Sequence, residues 1–270
     1  MINQNTVLIV AGILLSLFSC SSKQEESEED TIESARSKRP ISLENGKIFS
    51  NGGIKYLYGG PDSLQHFDIT NSELKDAQYH YGIGREAFPA LLTPSFTTVD
   101  SSKSFWHDST RFLVAYSGTE TKAYSIPDLT RHEVVNDIIN GIPILPAYCI
   151  LADLGAIYDR RYGEHVLTFA LSGYTYYDPD VWGGLDGFIL WDRDTESLWW
   201  PLVDRSVSGP LKGVALRKFD ELSWKETTWE GIKTSYPEAM VLAPDQDFER
   251  PQSWGKITDV TTIVETFRQE

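Results

Sequence analysis

The sequence predicts a mainly β (α+β) fold, an antiparallel β-rich single domain with few short helices. From about Ile48 onward, apolar runs of four to nine residues alternate with turn residues. The long helical periods that would connect parallel strands are missing. Composition agrees with a folded globule: 41% hydrophobic, 12% aromatic and 23% charged.

The elements before that core have a different character. Val7–Phe18 is an apolar segment of twelve residues, the length of a secretory signal core and well short of the roughly 20 that a spanning helix needs. The run Leu17-Phe18-Ser19-Cys20 resembles bacterial lipoprotein signals, in which a cysteine after a small residue is acylated and becomes the new N-terminus. Bulky Phe18 and an n-region (Met1–Thr6) without Lys or Arg depart from that pattern, and cleavage near Ser19 as an ordinary signal is the alternative. The resemblance implies a signal peptide over 1–19, a membrane partner through a lipid on Cys20, and a cell-envelope location. Ser21, where a retention-type Asp is absent, points to the outer membrane. Residues 20–45 are polar and acid-rich (Glu25, Glu26, Glu28, Glu29, Asp30), which predicts a disordered tether.

The domain follows, at 46–270. Expected strands are Phe112–Tyr116, Lys122–Ile126, Ile142–Ile150, Val166–Leu171, Phe188–Trp191, Gly213–Leu216 and Met240–Ala243, separated by turn residues such as Gly118, Asn140-Gly141 and Ser208-Gly209-Pro210. Two helices are expected. One runs over Leu129–Ile139 and stops at Asn140-Gly141; the other places Val260, Ile263, Val264 and Phe267 on one face.

Charge and cysteine content narrow the function classes. A net charge of −15, with no charged side chain in the first nineteen residues, repels phosphate backbones and argues against a nucleic-acid partner. Only Cys20 and Cys149 are present, so acylation of the first leaves the second without an intramolecular partner. The domain must rest on its core.

Several strings carry a family resemblance: Phe67–Asn71 (FDITN), Gly84–Leu91 (GREAFPAL), His132–Asp137 (HEVVND), Tyr148-Cys149, Phe169–Gly173, Asp192–Trp199 (DRDTESLW) and Gly209–Gly213 (GPLKG). In this order they resemble the bacterial and archaeal family named domain of unknown function 3179, over about residues 55–245. The resemblance implies boundaries and candidate positions but no reaction. Members of that family usually carry Cys-Pro-Leu-Cys where this chain has Cys149-Ile150-Leu151-Ala152, so the second thiol of a redox or metal-binding pair is absent. A second departure is an insertion over Tyr177–Gly187. Asp178, Asp180 and Asp186 there have the oxygen chemistry of calcium ligands but not EF-hand spacing, and an Asp/Gly turn explains them better.

Cys149, His132 and Asn136 form the best chemical constellation, since a thiol, an imidazole and an amide suffice for thiol catalysis. On the expected helix His132 and Asn136 share a face, so the amide would fix the imidazole tautomer. Helix rise and strand advance place Cys149 about 10 Å beyond His132 unless the strand bends. The function expected is a ligand- or metal-binding envelope module with a small-molecule or metal ligand in a pocket around His132 and Cys149; the alternative is a thiol-dependent enzyme using the same residues. No motif assigns a cofactor. Asp192, Thr195 and Ser197 read as turn caps, and Ser172-Gly173 lacks a nucleophile elbow. Trp182, Trp191, Trp199 and Trp200, with Tyr174, Tyr176 and Tyr177, read as packing before they read as a sugar-stacking cleft.

Overall fold

A computed structural model describes residues 44–246, 257 and 259–268. The expected signal peptide, Cys20 and nearly all of the expected tether lie outside the described residues. The framework is antiparallel. Six strands form one sheet in the order Glu44–Asn45, Tyr79–Tyr81, Phe169–Tyr177, Asp186–Asp192, Leu198–Trp200 and Arg205–Ser208. Five form another: Ser223–Thr228, Arg111–Ser117, Glu120–Ser125, Met240–Leu242 and Phe96–Thr98, with one parallel pair where Met240 faces Lys122. A three-stranded sheet joins Leu154–Asp159, Ile142–Cys149 and Asp137–Ile139.

The centre of the six-stranded sheet runs from Phe169 opposite Asp192 to Tyr177 opposite Asp186, with a register shift between Leu171 and Tyr174. Gly173 makes that bulge at φ +79°, and a Cβ there would stand 2.0 Å from the Gly84 carbonyl oxygen. Its own carbonyl accepts the N–H groups of Gly82 and Ile83. Only glycine supplies both the backbone angle and the close approach.

Strand Ile142–Cys149 explains its own unbroken apolar sequence. Leu145, Ala147 and Cys149 belong to one hydrophobic core, with Phe169, Trp191 and Trp199. Ile144 and Tyr148, pointing the other way, belong to a second, with Leu113, Tyr124 and Ile157. A strand buried on both faces has no polar side to alternate with. A third core lies around Phe112, Trp229 and Ile232. The described residues belong to one compact unit. No helix among the described residues is long and apolar enough to cross a membrane.

Five of the seven expected strands form within two residues of their expected ends. Three expectations are corrected. The helix expected over Leu129–Ile139 runs instead over Ile126–His132: Ser125 caps its N-terminus, Pro127 sits in its first turn, and it ends at Glu133 with φ +55°. The β-branched residues that follow favour extended chain, and Asp137–Ile139 pairs with Ile142–Ile144. Asn140-Gly141, read as a helix stop, is the hairpin turn between them, with φ of +48° and +77°. Val166–Leu171 is divided, since His165–Val166 pairs with Arg161–Tyr162 and the next strand begins at Phe169. Gly213–Leu216 makes only an isolated bridge from Ala215 to Arg205, because Gly213 turns at φ +89° and the Val214 N–H closes back on the Leu211 carbonyl. The C-terminal helix covers Thr261–Arg268, with Ile263 buried and Val260 and Val264 packed on the first core; the side chain of Phe267 lies outside the described residues.

Candidate functional site: a cleft floored by Cys149

Cys149 ends the strand shared by the two cores and opens the turn that leads into Leu154–Asp159. Its side chain is buried. The sulfur accepts the N–H groups of Phe188 at 3.3 Å and Ala152 at 3.5 Å, and the thiol donates to the Asp186 carbonyl at 3.9 Å. Burial pushes the thiol pKa up to about 12 and the nearby Glu133 carboxyl adds to the rise, so the sulfur keeps its proton at neutral pH.

Glu133 is the unusual neighbour. It holds left-handed backbone at the helix end, its carbonyl accepts the Tyr148 N–H at 2.9 Å, and its carboxyl accepts the N–H of Ile150. Burial raises that carboxyl to about 8. His132, the last residue of the helix, is buried, with Nδ1 3.0 Å from the Pro89 carbonyl. A carbonyl only accepts, so Nδ1 carries the proton; burial lowers the pKa and keeps the ring neutral.

Asn136 lies beyond the helix, so it does not share a helical face with His132. Its amide closes a two-way pairing with Phe169, Nδ2 donating to the carbonyl and Oδ1 accepting the N–H, each at 2.8 Å. The amide thus serves as a rung at the start of strand Phe169–Tyr177, and the Pro89 carbonyl takes the tautomer-fixing role expected of it.

Cys149 does line a cleft, of about 420 Å³. Ala147, Leu154, Ala156 and Ile157 contribute from the three-stranded sheet, Phe188 from the six-stranded one, and Pro201, Leu202, Leu222 and Trp224 from later segments. Trp182, 64% exposed, and Trp224, 37% exposed, both line it. Trp182 adopts φ +50° and its Nε1 donates to the Leu202 carbonyl at 3.0 Å. The charged lining residues are Asp204 and Lys218, paired at 2.9 Å, and the Tyr158 hydroxyl donates to the same carboxylate. His132 and Asn136 are not among the lining residues. Sequence reasoning missed Tyr158, Asp204, Lys218, Phe219 and Trp224. Its signals were Cys149, around which a pocket was expected, and Trp182, a large aromatic stranded in an Asp/Gly turn.

Residues 85–261 match the family model described as a protein of unknown function, DUF3179. The chain belongs to this family. No curated protein and no solved structure matches it. Several strings that carry the DUF3179 resemblance meet in one polar knot on the six-stranded sheet. Asn71 pairs both ways with the backbone of Gly209, at 2.8 and 2.9 Å. Ser197 Oγ accepts the Leu211 N–H at 2.9 Å. The Arg193 guanidinium forks onto the Glu86 carboxylate at 2.6 and 2.8 Å. Asp192 accepts from the Thr195 N–H, the Thr195 hydroxyl and Trp199 Nε1, so the turn-cap reading of this motif describes its bonds. Trp191, Trp199, Trp200, Tyr174 and Tyr176 are buried in the core, as their packing reading had it, whereas Trp182, read the same way, is exposed. In the insertion, Asp178 accepts the Asp180 N–H as a turn, while Asp186 faces His80 Nδ1 at 2.7 Å and the Thr175 hydroxyl. Among the described residues no group of three or more His, Cys, Asp or Glu side chains is placed to hold a metal ion.

Proposed function

We propose that this chain is a lipid-anchored envelope protein, attached through Cys20, whose domain binds an apolar small molecule in the cleft floored by Cys149. The carrying observation is the lining: fourteen of its sixteen residues are aliphatic, aromatic, glycine, proline or cysteine, and the volume of about 420 Å³ falls in the range of small-molecule sites. Binding is favoured over thiol catalysis because a nucleophilic cysteine needs a lowered pKa, whereas this one is buried and pushed up. The metal branch of the binding reading has less support, since one thiol and a neutral imidazole make an incomplete ligand set.

Calorimetry of the full-length chain in zwitterionic nanodiscs, with empty nanodiscs subtracted, tests the cleft with 3-phenylpropanol as a neutral probe. Binding in the micromolar to millimolar range is expected, and Ala156→Trp, which fills the cleft, should abolish it. Leu154→Trp serves as a second blocking variant should the first fail to fold. Binding indifferent to both would remove the proposal.

A further inference from the structure

We infer that the cleft selects an organic cation: an amine or quaternary ammonium carried on an apolar body. The inference rests on the cleft being a binding site and adds the charge of its ligand. Five aromatic residues line the space, Tyr158, Trp182, Phe188, Phe219 and Trp224. Ring faces attract cations, and more strongly where water is excluded. Trp182 is oriented before any ligand arrives by the bond from its Nε1–H to the Leu202 carbonyl. Such pre-organisation lowers the ordering cost of binding.

The charged groups point the same way. Asp204 is the acid among the lining residues, and the Tyr158 hydroxyl orients it. Its other partner is Lys218, in a pair whose side chains are 48% and 72% exposed. Exposed pairs of this kind contribute little stability. An incoming cation can therefore replace the lysine while Tyr158 keeps the carboxylate aimed. An anion would have to take that lysine away from Asp204, against the field of a chain with net charge −15.

Three probes sharing one body separate the possibilities: 3-phenylpropyltrimethylammonium, 3-phenylpropanol and 3-phenylpropanoate, titrated into the full-length chain in zwitterionic nanodiscs. The cation should bind at least tenfold more tightly than the alcohol, with a preference that shrinks as salt is added. Asp204→Asn should cut that preference below about threefold, and Lys218→Ala should strengthen cation binding. Equal binding of the three probes overturns the charge selection and leaves the cleft standing. Tighter binding of the carboxylate, lost in Lys218→Ala, overturns it in favour of an anion site. If no probe binds and Ala156→Trp titrates like the parent chain, the cleft reading itself fails and takes this inference with it.

Discussion

Glu133 concentrates two unfavourable choices in one residue, a left-handed backbone and a buried carboxyl. With its pKa raised from 4.5 to about 8, the folded chain holds this proton more tightly than the unfolded one. The resulting stabilisation is complete below pH 4.5 and is lost as pH rises through 8. Glu133→Gln keeps an acceptor for the Ile150 N–H and cannot ionise. It should match the parent near pH 4.5 and exceed it by about 2 kcal/mol or more at pH 9 in urea melts, since each pKa unit corresponds to about 1.4 kcal/mol. The same difference at both pH values would mean that ionisation of Glu133 does not limit stability. Cys149 offers a second residue-level test. A thiol with a pKa near 12 is ionised on the order of one part in 10⁴ or less at pH 7.5, so iodoacetamide should label it at least 100-fold more slowly in the native chain than after unfolding. Peptide mapping by mass spectrometry reads the rate, and equal rates would defeat the buried-thiol description. The sequence located Cys149 at a strand end, but desolvation and the approach of Glu133 depend on tertiary packing that spacing does not record.

At the scale of elements, strands were more legible than the helix beside the site. Ile142–Cys149 and Arg111–Ser117 announce themselves as apolar runs between turn residues. The misread helix shows how a short periodic pattern deceives: Leu129, His132 and Val135 suit a helical face, yet Val134-Val135 and Ile138-Ile139 are β-branched and Asn140-Gly141 is a hairpin signal as much as a helix stop. That one error placed Asn136 beside His132 when it belongs to Phe169. The hairpin can be tested directly. A Cβ on Gly141 would meet nothing within 4 Å, so Gly141→Ala carries a purely conformational penalty at φ +77°. Denaturant melts should show a loss of about 1–2 kcal/mol with the native fold retained. An unchanged midpoint would mean that the turn does not require the left-handed angle.

For the molecule as a whole, the strand shared by two cores predicts cooperativity between them. Ile144→Ala opens a cavity in one core and Leu145→Ala in the other. Each should cost about 2–4 kcal/mol, and each should displace a single unfolding transition followed by both tryptophan fluorescence and circular dichroism. Two separated transitions in either variant would mean that the cores melt independently. The fold class was readable because short apolar runs and the turn residues between them are local signals. The cleft was not, because its walls come from segments as far apart in sequence as Ala147, Trp182, Asp204 and Trp224, and no local signal links them.

Trp182 lies in the 178–185 loop that joins two central strands of the six-stranded sheet, while the buried residues of the cores beneath the cleft come from outside that loop. The entrance residue Trp182 and the buried scaffold are thereby placed on separate parts of the chain. Exchanging the 178–185 loop would change the entrance of the cleft, and would touch the first core through Val181 and Leu185, which pack against it. Grafting this loop alone should therefore change which apolar bodies enter the cleft, while any charge preference stays with Tyr158 and Asp204.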